Sequence, residues 1–225
     1  MKITFLGTGT SQGVPVIGCD CDVCRSKDPK DKRLRTSILI EVGNKVFIVD
    51  TGPDFRQQML NEEVHNISGI IYTHEHRDHV AGLDDVRPIN FLKQKPIEIY
   101  GEERVLEALK QMIPYAFGNN KYPGVPDINL NLITNKTFAI EGVEFTPIRV
   151  YHYKLPVFGF RIGNFTYITD ANYIPEEEKE KIVGCKYIVV NALRKKKHIS
   201  HFSLSDALEV VNEFSPRKAY LIHMS

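Results

Sequence analysis

The chain has 225 residues, 42% of them hydrophobic, with 29 basic against 28 acidic side chains. That is enough apolar material for a sizeable core and excludes a disordered chain, while a net charge of +1 sets up no global field toward nucleic acid or an anionic membrane. No apolar run approaches the roughly 18 residues of a spanning helix, and the opening residues read as a strand rather than a secretion signal, so a cytoplasmic protein is expected.

Residues 2–6 form a predicted strand that runs into Gly7, Thr8, Gly9 and Thr10, a glycine-punctuated turn. Residues 11–35 read as a loop, too long to stand unsupported in a compact domain. Within it Cys19, Cys21 and Cys24 crowd together, while Cys185 stands apart. Cysteines so close in sequence bridge poorly, and as free thiols they suit a metal clip over about residues 13–35.

Residues 36–42 and 45–50 pattern as a hairpin across Gly43 and Asn44, residues 54–64 as a helix and residues 67–73 as a strand. That strand delivers His74, Glu75, His76, Arg77, Asp78 and His79 in unbroken succession. A helix is predicted within residues 78–91, a strand over 97–100 and a charged helix over 102–111. Residues 114–126, rich in proline, glycine and aromatic side chains, have the composition of a loop or lid, with Tyr115, Phe117 and Tyr122 as its rings.

The second half repeats the rhythm, with strands over residues 129–133, 137–140, 143–151, 157–162 and 165–169. A helix over 175–183, a strand over 187–190, a basic loop over 194–198, a helix over 204–214 and a strand over 219–222 complete it. Ser203 and Asp206 pattern as a cap for the long final helix. Strand-rich blocks alternate with helices and no linker interrupts them, which predicts a single domain over residues 1–225 of two packed mixed sheets with helices outside.

The run His-x-His-x-Asp-His packs imidazoles and a carboxylate at a strand end, the donor set from which a two-metal hydrolytic site is built. His152, Asp170 and His223 each come first after a later apolar run, so they are candidate ligands too. A lone histidine at a strand end is ordinarily structural; three such placements beside the cluster change that weighting. The basic residues 194–197, Arg33, Arg35 and Lys154 could meet an anionic substrate, although short basic runs are usually solvated surface.

With these residues in that order, the chain resembles the metallo-β-lactamase superfamily, an α/β (α+β) class with a four-layer αββα sandwich of two mixed sheets. The stretch Gly7, Thr8, Gly9, Thr10, Ser11, Gln12, Gly13, Val14, Pro15 with Cys19, Cys21 and Cys24 resembles its PhnP-like phosphodiesterases. The resemblance implies that His74, His76 and His152 hold one divalent cation, Mn or Zn, that Asp78, His79 and His223 hold a second, and that Asp170 bridges them. It implies a hydroxide between the cations as nucleophile, oriented by Asp78, and His201 as general acid toward a small anionic cyclic phosphodiester. It further implies a structural zinc on Cys19, Cys21 and Cys24. Relatives supply a fourth ligand just past the last active-site histidine, so a missing C-terminal segment is expected, with Cys185 or His65 as weaker substitutes. A tRNA 3′-end endonuclease and a non-hydrolytic PqqB-like accessory protein are the alternatives. Nucleic acid is disfavoured as a partner because no basic, glycine-rich insertion is present, no membrane partner is expected, and a homodimer is left open.

Overall fold

The structure, a computed structural model, describes residues 1–118 and 123–225, which group into two compact units. The first comprises Met1–Gly7 and Leu34–Thr134, the second Thr8–Arg33 and Asn135–Ser225.

The first unit holds a six-stranded sheet in the order β1 (Lys2–Gly7), β2 (Ser37–Val42), β3 (Lys45–Val49), β4 (Gly69–Ile71), β5 (Ile97–Gly101) and β6 (Ile128–Leu132). The first three strands pair antiparallel and the last four pair parallel. Ile38, Leu39, Ile40, Phe47, Ile48 and Val49 are all buried, as continuous β-branched and aromatic runs require when neither strand face meets water. The helix Phe55–Asn61 sets Phe55 and Met59, and the helix Glu103–Met112 sets Val105, Leu106 and Leu109, into one apolar cluster with Ile48, Ile70, Ile97 and Ile99. Each such side chain contributes about 1.5–3 kcal/mol by leaving water.

Two predicted helices of this unit come out differently. The one over 54–64 stops at Asn61, because Glu63 turns left-handed (φ +50) and Val64 N–H closes back on Met59 O at 3.0 Å, a Schellman-type ending. The one within 78–91 is split into Arg77–Val80, a 3-10 turn Leu83–Val86 and Arg87–Lys93. Gly82 lies so close to Gly52 that a Cβ there would stand 2.2 Å from Gly52 O, and Pro88 starts the next helix afresh.

The second unit carries β7 (Phe138–Ile140), β8 (Val143–His152), β9 (Leu155–Ile162), β10 (Phe165–Ile168), β11 (Tyr187–Asn191) and β12 (Lys218–Ile222) as a second six-stranded sheet. β7 to β10 pair antiparallel, and β10 to β12 parallel. The helix Leu204–Phe214 has the predicted bounds, fixed by a reciprocal capping box between Ser203 and Asp206, and its Ala207 and Val210 join Ile188 and Val190 in the core. The helix predicted over 175–183 shrinks to Glu176–Lys179. Beyond it the chain tightens into i→i−3 turns, with Lys181 N–H on Glu178 O at 3.1 Å and Ile182 N–H on Lys179 O at 2.9 Å, and Arg161 takes up the terminal carbonyls of Lys181 and Val183. Residues 11–35 are not pure loop: they contain a helical turn Asp22–Arg25 and a 3-10 turn Pro29–Asp31.

Two mixed sheets with flanking helices are the architecture expected from the sequence. No described helix is long and apolar enough to cross a membrane.

Candidate active site

Apart from His152 and His201, the chemistry-bearing side chains of each sheet stand just past the carboxyl ends of strands with a parallel neighbour, where α/β sheets place ligands. In the first unit β3 leads to Asp50 and β4 to His74. His74 and His79 are buried, Asp78 is half-buried and His76 is exposed. The short extended stretch after β4 brings the His74 ring within 4.6 Å of His76 and 4.2 Å of His79, centroid to centroid. Asp78 Oδ2 lies 3.3 Å from His79 Nε2. Glu75, between the first two histidines, turns away to pair with Arg104.

These rings are aimed from behind by a residue the sequence reading missed. Asp50, fully buried, accepts from Thr73 N–H at 2.9 Å, from the Thr73 hydroxyl at 2.8 Å and from His79 Nδ1 at 2.7 Å. The Thr73 hydroxyl has one proton, given to Asp50, so it accepts from His74 Nδ1 at 2.9 Å. Both imidazoles therefore carry their proton on Nδ1 and offer the Nε2 lone pair, the arrangement by which an outer carboxylate fixes a metal-binding tautomer. Burial pushes the Asp50 carboxyl up, with His79 and Thr73 acting against it. The signal was available: Asp50 is the first ligand-type residue after an apolar strand, as Asp170 and His223 are.

In the second unit His152 is the last residue of β8, within the strand rather than beyond it, and Asp170 and His223 follow β10 and β12. Asp50, Asp170 and His223 share a left-handed backbone, at φ +65, +53 and +57, uncommon for non-glycine residues outside turns and helix ends. His152, Asp170 and His201 bring one donor atom each within 4.8 Å of one another. The His223 Nε2 to Asp170 Oδ1 distance is 3.1 Å, and the His201 ring lies 4.5 Å from that of His152 and 4.9 Å from that of His223. His152 Nδ1–H donates to Ser200 O at 2.8 Å, again leaving Nε2 as the donor to a metal. Asn191, also missed by the sequence reading, clamps the backbone after Asp170, accepting from Ala171 N–H at 2.8 Å and donating to Ala171 O at 2.9 Å.

His201 is buried, and burial pushes its imidazole down to about 3; the Asp170 carboxylate pulls it up, and His223, His152 and His198 add to the lowering. In the metal-free protein it is neutral at pH 7.

Cys19, Cys21 and Cys24 bring their sulfurs within 4.8 Å of one another on an exposed loop of the second unit. Val16 N–H points at Cys24 Sγ at 3.4 Å, and the Cys21 thiol is lowered by the Cys24 backbone and by its two neighbouring cysteines. Thiols so arranged fit zinc, and the imidazole and carboxylate sets fit zinc or manganese. Cys185 lies elsewhere, in the apolar core beside Ile182 and Ile188, and His65 lines a cleft of the first unit with Met59 and Leu92.

Arg35 is engaged by Asp54 at 2.9 Å, Arg33 reaches Thr8 at 3.4 Å, and Tyr115 donates to Asp84 at 2.7 Å. Phe117 packs against the first unit's core, and Tyr122 lies outside the described residues.

Residues 45–224 match the family described as the beta-lactamase superfamily domain. The chain is 38% identical, over its full length, to 46% of an octanoyltransferase from Porphyromonas gingivalis, and 30% identical, over 61% of its length, to 39% of a ribonuclease Z from Methanococcus maripaludis. It thus spans less than half the length of these two curated relatives. Among solved structures it superposes on a diphosphatase from the PhnP family with a TM-score of 0.93 and 35% identity, covering 99% of this chain and 85% of the other. Zinc-bound PqqB from Methylobacterium extorquens shares the fold at a TM-score of 0.77 and 18% identity, over 100% and 89% of the two chains. With most of its length matched by the domain family and its whole length by a PhnP-family structure, the chain belongs to the metallo-β-lactamase superfamily as a PhnP-like member.

Proposed function

We propose that this chain is a metal-dependent phosphodiesterase that opens a small cyclic phosphodiester, a cyclic ribose phosphate first among them. What supports the reading best is the tethering of His74, His79 and His152 through Nδ1, which dedicates their Nε2 atoms to ligation. His74, His76, Asp78, His79, His152, Asp170 and His223 would hold two divalent cations, zinc or manganese, and Cys19, Cys21 and Cys24 a structural zinc. Bound cations supply Lewis acidity toward a phosphoryl oxygen and make a water more acidic.

In the hydrolysis, a bond forms between the water oxygen and phosphorus while the bond from phosphorus to the ribose oxygen breaks. Asp78, half-buried beside His79, accepts the water proton; His201 delivers a proton to the departing ribose oxygen. Because burial keeps the free His201 neutral, the anionic phosphoryl group has to raise its proton affinity before it can serve as the acid.

One panel tests this: the metal-reconstituted protein against ribose cyclic phosphate, 2′,3′-cyclic nucleotides, a nitrophenyl phosphodiester, precursor tRNA and an octanoyl thioester. Turnover of the cyclic phosphates is expected. Activity confined to the thioester overturns the reading and turns attention to the acyl chemistry named for the P. gingivalis relative. Activity confined to precursor tRNA favours the endonuclease alternative.

A further inference from the structure

β8 ends in a tight turn at Tyr153 and Lys154 before β9 begins, and this turn is sewn to the loop that follows Asp170. Tyr151 N–H donates to Tyr173 O at 2.9 Å, Asn172 N–H to Tyr151 O at 2.9 Å and Tyr153 N–H to Asn172 Oδ1 at 2.6 Å. Tyr153 is held at φ +59, a left-handed conformation that a bulky side chain rarely adopts and that glycine or asparagine would adopt at less cost. Yet its ring lies at the surface: Tyr153 is 51% exposed, with Lys154 Nζ 5.4 Å from its ring centroid, and Tyr173 is 56% exposed, with one side of its ring toward Tyr151 at 6.1 Å. Neither hydroxyl has a hydrogen-bond partner among the described residues. Two aromatic faces are thus mounted on well-bonded backbone, one directly after His152 and the other three residues past Asp170. A conformational outlier kept at a site is a pointer to a role there.

His152 also touches the basic loop, through the bond from its Nδ1 to Ser200 O at 2.8 Å. Residues 194–197 of that loop are exposed, and Arg194, Lys195 and Lys196 make no ion pair among the described residues. Of the other lysines in this unit, Lys179 is paired with Glu176 and Glu213 and Lys181 with Glu178, while Lys136, Lys186 and Lys218 also make no ion pair among the described residues, so it is the clustering of residues 194–197 on one exposed loop that sets them apart. Exposed rings at the end of β8 and exposed cations on the loop that His152 Nδ1 reaches supply the two halves of nucleotide recognition: a π-face for the base and positive charge for phosphate. A sugar phosphate without a base would leave the rings unused.

We infer that Tyr153 and Tyr173 form a stacking platform for a nucleobase, so that the substrate is a nucleotide-type phosphodiester whose remaining phosphate charge meets the 194–197 loop. This rests on the phosphodiesterase reading.

The test compares adenosine 2′,3′-cyclic phosphate with its base-free counterpart, methyl ribofuranoside 2,3-cyclic phosphate, on the metal-reconstituted full chain. The wild type is expected to prefer the adenosine substrate by about tenfold or more in kcat/KM, and Tyr153→Ala and Tyr173→Ala to cut that preference by about 5- to 100-fold through KM. Tyr153→Phe and Tyr173→Phe should keep it, since the ring and not the hydroxyl stacks. A wild type indifferent to the base, or a preference unchanged in both alanine variants, overturns the platform.

If neither substrate is turned over, the phosphodiesterase reading fails and binding decides the platform alone. The chain has no tryptophan but ten tyrosines, so the part of the tyrosine quench that Tyr153→Ala and Tyr173→Ala remove reports stacking. AMP should quench it and bind more tightly than ribose 5-phosphate, and equal affinities overturn the inference. Affinity that climbs with oligoadenylate length overturns the small-nucleotide version in favour of an RNA strand.

Discussion

Asp50 accepts a hydrogen bond from His79 Nδ1 at 2.7 Å, across 29 positions of sequence and entirely out of contact with water. Three donors converge on that carboxylate, and an asparagine can satisfy only part of them because its NH2 group would face a donor. Asp50→Asn should therefore loosen the ring orientation of both His79 and His74, and metal affinity measured by titration calorimetry should fall by about 10- to 100-fold. Unchanged affinity would make Asp50 a residue of the core alone.

Gly52 is the other unseen support. A Cβ on it would stand 2.1 Å from the Asp78 carbonyl oxygen, so Gly52→Ala must push the Asp78 segment outward. A loss of about 1–3 kcal/mol in urea denaturation is expected, together with weaker metal binding. Gly163→Ala, where a Cβ meets nothing within 4 Å, supplies the comparison: it should lower stability through its left-handed backbone but leave metal binding intact.

His201→Ala separates acid catalysis from binding. A poor leaving group needs the proton and a nitrophenolate does not, so kcat should drop by about 100-fold or more on a ribose cyclic phosphate and far less on a nitrophenyl diester. Equal losses on both remove His201 from the acid role.

Glu178 anchors a buried network well away from the candidate ligands. Its carboxylate accepts from Lys181 Nζ at 2.7 Å, Arg149 N–H at 2.7 Å and the Asn135 amide at 2.5 Å. Burial pushes this carboxyl up, but the combined hydrogen bonds and the Lys181 charge hold it below the usual range. A depressed carboxyl stabilises the fold above its unfolded pKa, and that stability is lost as pH falls through the folded value. Glu178→Gln should cost about 1.5–3 kcal/mol at pH 7 and show less loss of stability than wild type between pH 5 and pH 3, read by chemical denaturation at each pH.

Cys21→Ser tests the thiol cluster. Elemental analysis of the wild type should find one zinc beyond the active-site pair, the variant should lack it, and amide exchange of residues 13–33 should speed up. A wild type with no such additional zinc removes the structural site.

Local signals were the ones legible in the sequence. The helix Leu204–Phe214 came out with its predicted bounds because Ser203 and Asp206 cap it within four residues. His74, His76, Asp78 and His79 were visible because they are consecutive, and His152, Asp170 and His223 because each ends an apolar run. What escaped was set at long range. The split of residues 78–91 depends on Gly82 meeting Gly52, which no local pattern announces. Asp50 passed as the last residue of the predicted strand 45–50 and Asn191 drew no notice, because their importance lies in partners more than 15 positions away.

The basic loop is closed at its foot, with Leu193 N–H on Phe202 O at 3.0 Å and Leu204 N–H on Arg194 O at 2.9 Å. Within that clasp Ser200 and His201 stay held against His152, which leaves the exposed residues 195–197 as the part whose length the sheet does not sense. Doubling the loop would add only about 0.6 kcal/mol of closure entropy. The segment around Lys196 is thus a natural insertion point: sequence can be added there, to graft a new specificity or a reporter, without moving the strands that carry Asp170 and His223.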